Sequence, residues 1–68
     1  MKFRVLDRGR TYQVEAPTGA AAVRERAPEG LLSFVGITPT GGRQFEVKEA
    51  GPSGRVTSRR ITVYGVRQ

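Results

Sequence analysis

Cysteine and histidine are both missing from this chain of 68 residues. Without cysteine there is no disulfide framework and no thiolate metal site. Without histidine, the commonest metal ligand and the commonest general base are gone as well. Acidic residues are scarce, six against twelve basic ones, which leaves a net charge of +6. No apolar run is long enough for a signal peptide or a transmembrane helix, so the expectation is a soluble, cytoplasmic protein with no membrane partner. At 37% hydrophobic the chain is ordinary for a globular domain, and 68 residues make room for one domain, 1–68, with one small core and a thin stability margin.

The apolar residues that are present are periodic, which argues against disorder. The only convincing helical run lies between Pro17 and Pro28. Thr18 suits the N-cap, Gly19 to Ala27 are mostly good helix formers, and Pro28 with Gly30 ends the helix. At about two and a half turns it is too short to hold alone, and its small face, Ala20, Val23 and Ala27, suits close packing on a sheet.

Alternation elsewhere marks strands. Lys2 to Leu6 and Thr11 to Ala16 flank the turn-forming cluster Asp7-Arg8-Gly9-Arg10 and predict a hairpin. Phe3 and Val5 would share one face with Tyr12, Val14 and Ala16. Leu31 to Thr38 has apolar residues on both faces, which predicts a central strand. Pro39-Thr40-Gly41-Gly42 supplies a turn into Arg43 to Glu49, which alternates with Phe45 and Val47 inward. Gly51 to Thr57 is expected to be the most mobile internal segment, and the chain ends in a strand with Ile61 and Val63 inward.

The predicted class is α+β, in the order ββαβββ: a four- to five-stranded, mainly antiparallel sheet with one short helix on one face. The expected core is Tyr12, Val14, Val23, Val35, Ile37, Phe45, Val47, Ile61 and Val63. With a single helix, the other face stays open and would carry Arg4, Gln13, Glu15, Phe34, Gln44, Glu46, Lys48, Arg60, Thr62 and Tyr64.

Catalytic constellations do not emerge. Only Glu15 and Glu46 can share a sheet face, where Lys48 and Arg60 would neutralise them, and an open surface does little to shift a carboxylate. Gly41-Gly42-Arg43 lacks the Lys-Ser/Thr ending of a phosphate loop and precedes a strand rather than a helix. The expectation is a protein that is not an enzyme and uses no cofactor or metal. The remaining candidate surface is basic and aromatic, and its expected partner-binding residues are Arg4, Phe34, Lys48, Arg59, Arg60, Tyr64 and Arg67. Ten of the twelve basic residues are Arg, which suits bidentate pairing with phosphate or carboxylate. Genomic base composition also inflates Arg and Ala together.

The segment Tyr12-Gln13-Val14-Glu15-Ala16, followed by Ala20-Ala21-Ala22-Val23 and then a hairpin, resembles the layout of very small phage-encoded inhibitors of the type I anti-CRISPR kind. The resemblance spans the second to the fourth strand. It implies a non-enzymatic blocker that docks on a protein or nucleoprotein complex, such as a CRISPR effector, and prevents nucleic-acid binding. At +6 the chain departs from those inhibitors that imitate DNA with an acidic surface. Two other readings stay open. One is a small basic protein that binds DNA or RNA on an Arg/aromatic sheet face, as RNA-recognition motifs do, although Arg43-Gln44-Phe45-Glu46-Val47 does not match their consensus. The other is a structural homodimer.

Overall fold

Side-chain alternation builds each strand of the computed structural model, which describes residues 1–66. β1 (Lys2–Asp7) and β2 (Arg10–Glu15) form the first hairpin, and α1 (Gly19–Arg26) follows. β3 (Leu31–Ile37) and β4 (Arg43–Ala50) form the second hairpin, and β5 (Val56–Val66) returns along β4. All pairings are antiparallel, in the order β2-β1-β5-β4-β3, so the expected α+β class and the ββαβββ order are both present.

The β1–β2 connection is tighter than the sequence cluster suggested. Asp7 pairs with Arg10 inside the ladder, leaving Arg8 and Gly9 as a two-residue turn with φ of 53° and 76°. Two consecutive left-handed residues match the twist of a hairpin. Asp7 therefore ends a strand, with its side chain turned toward the core.

Thr18 caps α1 as expected, its hydroxyl oxygen accepting from the Ala21 amide at 3.1 Å. The helix lies mainly over β5 and β1, touches β2 and β4 less, and leaves β3 largely uncovered. Its buried residues are Ala22 and Val23, with Ala27 at the C-cap; Ala20, expected on this face, is exposed. Beneath it pack Phe3, Val5, Phe45, Val47, Ile61 and Val63, with Tyr12, Val14 and Leu32 at the margin. Alanine at the contact lets the helix sit close to the sheet. Gly30 continues that fit, because a Cβ there would come within 2.5 Å of Val47 Cγ1.

Two expectations are corrected. β3 is an edge strand rather than a central one, because β5 takes β4 on one side and β1 on the other, leaving β3 joined only to β4. Val35 and Ile37 consequently lie outside the core, 43% and 67% exposed. The segment after β4 is a hairpin loop closed by two backbone hydrogen bonds. Gly51 donates its amide to the Arg55 carbonyl at 2.7 Å and Gly54 to Gly51 at 3.0 Å, and Val56 and Thr57 already belong to β5.

The same geometry recurs in the β3–β4 loop, where Thr38 donates to the Gly42 carbonyl at 2.7 Å and Gly41 to Thr38 at 2.9 Å. Both loops read x-Pro-Thr/Ser-Gly-x, with Pro where its fixed φ suits a turn and Gly41 or Gly54 at positive φ. No helix among the described residues is long and apolar enough to cross a membrane.

Candidate binding face

The sheet register decides which side chains share the open face. Opposed pairs on that side are Lys2 with Glu15 and Val66, Arg4 with Gln13 and Tyr64, and Leu6 with Thr11 and Thr62. Across β4 they continue as Gln44 with Thr62, Glu46 with Arg60, and Lys48 with Ser58 and Leu31. The residues expected there are thus brought together, with one exception. Phe34 pairs with the buried Phe45, so it lies on the helix side of the sheet, where the two rings meet edge to face at 5.6 Å. The physical cause is the parity of β3, which places Leu32 and Phe34 on the helix side and Leu31 and Ser33 on the open side.

Arg59 also leaves the expected site. It stands opposite Val47 on the helix side, only 17% exposed, and serves an ion cluster. Its Nε and Nη2 donate to the two Asp7 carboxylate oxygens at 2.9 and 3.3 Å, its Nη1 pairs with Glu49, and Nη2 also reaches the Arg26 carbonyl at 3.4 Å. The Asp7 hydrogen bond, assisted by Glu49, outweighs desolvation and holds the guanidinium above its ordinary pKa. Arg26 approaches Asp7 at 3.7 Å and lies 3.7 Å above the Tyr12 ring. The cluster thus satisfies a nearly inaccessible carboxylate and one of the last carbonyls of α1 together. Arg67 lies outside the described residues.

On the open face, then, remain Arg4, Lys48, Arg60 and Tyr64. The Arg4 guanidinium sits 5.0 Å from the Tyr64 ring centroid, a cation–π distance. The Tyr64 hydroxyl is 2.7 Å from the Thr40 hydroxyl, which is 3.2 Å from that of Thr38; Thr38 Oγ1 in turn accepts from the Gly42 amide at 2.9 Å. These threonine hydroxyls, Thr40 foremost, lower the Tyr64 pKa from its ordinary value, with a smaller contribution from Arg4. Gly42 lies so close that a Cβ there would meet the ring at 2.7 Å. Tyr64 thus clamps the β3–β4 loop onto the open face, a role visible in the sequence only as hydroxyls clustered around Pro39. Arg4, Leu6, Thr11, Thr40 and Tyr64 line a shallow depression of about 440 Å³.

Glu15 and Glu46, weighed as a carboxylate pair, are held apart. β1 and β5 separate their strands, a gap of roughly 14 Å at ordinary strand spacing. Glu46 stands opposite Arg60, and Glu15 accepts from the Met1 amine at 3.0 Å. Among the described residues, no three His, Cys, Asp or Glu side chains group to hold a metal ion. No protein-family model, curated protein or solved structure matches the chain.

Proposed function

We propose that the protein is a non-catalytic binding module that docks its open sheet face on a host nucleoprotein complex and blocks nucleic-acid access, in the manner of a phage or mobile-element inhibitor. The observation that supports this reading is the distribution of charge on an uncovered, five-stranded face. Lys2, Arg4, Lys48 and Arg60 project from three different strands, against only Glu15 and Glu46. Arg4 and Arg60 are separated by four residues of β5, roughly 13 Å along the strand. Cations spread this way match an extended anionic surface rather than a single phosphate. The two longer molecular dimensions, 42 and 23 Å, bound a face of at most roughly 970 Å², comparable to the ~800 Å² per partner of a specific protein interface.

Direct nucleic-acid binding is the competing reading, favoured by the same charge. Base stacking has little to work with on this face, because Phe34 lies on the other side and Tyr64 is engaged by Arg4 and the β3–β4 loop.

The experiment measures interference by a CRISPR effector with and without the protein, alongside DNA binding in a salt series. Loss of interference, relieved by Arg60→Ala and Lys48→Ala at a cost of about 1 kcal/mol or more each in partner affinity, supports the inhibitor. Unchanged interference with DNA binding that falls steeply with salt, by about 0.9 log units per phosphate contact per log unit of salt, replaces it with the nucleic-acid reading.

A further inference from the structure

β3 has an outer edge protected by no charge and no Pro, and interrupted by a single bulge. Residues 30–42 are the longest stretch of the chain without a charged side chain. Within it, Leu31, Phe34, Val35 and Ile37 are 74, 57, 43 and 67% exposed. Natural sheets guard such an edge with charged side chains, with Pro or by keeping the strand short, yet β3 runs for seven residues and carries neither Lys nor Pro. Its one irregularity is a bulge between Phe34 and Gly36. The opposite edge, β2, begins and ends on charged residues, Arg10 and Glu15.

We propose that β3 pairs antiparallel with β3 of a second copy, joining two five-stranded sheets into one continuous sheet. Each copy carries +6, so two copies repel least when they meet where cations are absent, and β3 supplies that place. The pairing is self-complementary and closes at two. Pairing β3 with β2 would set the apolar row against Arg10 and Glu15 and would propagate without closure.

A register centred on Ser33 sets Leu32 of one copy against Phe34 of the other on the helix side, with the bulges at either end of the shared ladder. Burying all the exposed area of Leu31, Phe34, Val35 and Ile37 would remove at most roughly 400 Å² per copy, about 800 Å² in all, less than the 1,200–2,000 Å² of stable complexes. The dimer is accordingly reversible and concentration-dependent. Its two-fold axis runs perpendicular to the sheet, so both open faces look the same way; the dimer rests on the docking reading only in how that doubled face is used.

Sedimentation velocity over a concentration series tests it. The wild-type chain shifts from monomer to dimer, and Leu31→Glu, at a mostly exposed position opposite Lys48 of its own chain, weakens the association by about tenfold or more without lowering the melting temperature of the monomer. Because the chain has no cysteine, Ser33→Cys introduces a single thiol on the axis, where directly opposed Cβ atoms come within about 5 Å. Mild oxidation should link this variant into a folded dimer far faster than Ser58→Cys, an exposed control on β5. A wild type that stays monomeric at every concentration overturns the proposal, as does Ser33→Cys linking no faster than the control. So does a chain that remains monomeric while adding an extended peptide along β3. Neither Leu31 nor Ser33 belongs to the cationic set Arg4, Lys48 and Arg60, so failure here leaves the docking proposal standing.

Discussion

Asp7 is 2% exposed and charged, so its place in the fold rests on the cations that reach it. Arg59→Ala leaves that carboxylate with Arg26 alone at 3.7 Å and should cost about 3 kcal/mol in chemical denaturation. The paired replacement Asp7→Val with Arg59→Met should recover most of the loss, because removing both charges also removes the cost of burying them. Tyr64 offers a second measurement at this scale. Its threonine neighbours favour the phenolate, so it gives up its proton at lower pH than a free phenol. The sign follows from a folded pKa below the unfolded one: the contribution to stability grows as pH rises through the folded value and is complete above the unfolded value. Ultraviolet titration should resolve this early tyrosinate component, with no tryptophan to obscure it, and Tyr64→Phe should abolish it. Neither role was legible from residue type alone. The inward parity of Ile61 and Val63 already placed Arg59 on the helix side, but its charge suggested grouping it with Arg60. Asp7 preceding Arg8-Gly9 looked like part of a turn, because Asp is common there and burial of a charge shows only when its distant partner is in view.

Among the elements, the helix and β4 were the most readable, since their signals are local. Thr18 and Pro28 bracket α1 in the sequence as they do in space, and the alternation of β4 puts Phe45 and Val47 where the helix covers them. Phe45→Ala should cost about 3 to 5 kcal/mol, enough to unfold much of the population of so small a domain; a melting curve like the parent's would mean that Phe45 is not in the core. The two Pro-Thr/Ser-Gly loops invite an exchange measurement. The amides of Gly51 and Gly54 should be protected comparably to those of Thr38 and Gly41, because the same two hydrogen bonds close each loop. Pro and Gly alone do not distinguish a slack loop from a closed turn, since the same residue types occupy 39–41 and 52–54. β3 misled for a different reason. Apolar side chains on both faces suggest cover on both faces, but at an edge they remain exposed.

The whole molecule depends on an arrangement no local pattern encodes: the last strand lies between the two hairpins. The sequence limited the sheet to four or five strands and left their order open, because strand order is fixed by contacts distant along the chain. A net charge of +6 repels itself in the folded state, so moderate salt should raise the melting temperature through screening, by a few degrees for each 1 kcal/mol of repulsion relieved. A melting temperature that falls over the same salt range would show instead that the Asp7–Arg59–Glu49 attraction outweighs the surface repulsion.

The position of β5 also sets the order of events when this chain folds. Val5 pairs with Val63 and Phe45 with Ile61, so the N-terminal hairpin and the β3–β4 hairpin share no ladder until β5 arrives. Before β5 docks, the first five elements are therefore two unjoined hairpins and a helix too short to persist alone. Their apolar faces stay in contact with water until residues 61–66 pair. A substitution that weakens the pairing of β5 prolongs that interval, and with it the time in which the uncharged β3 edge can capture a neighbouring chain.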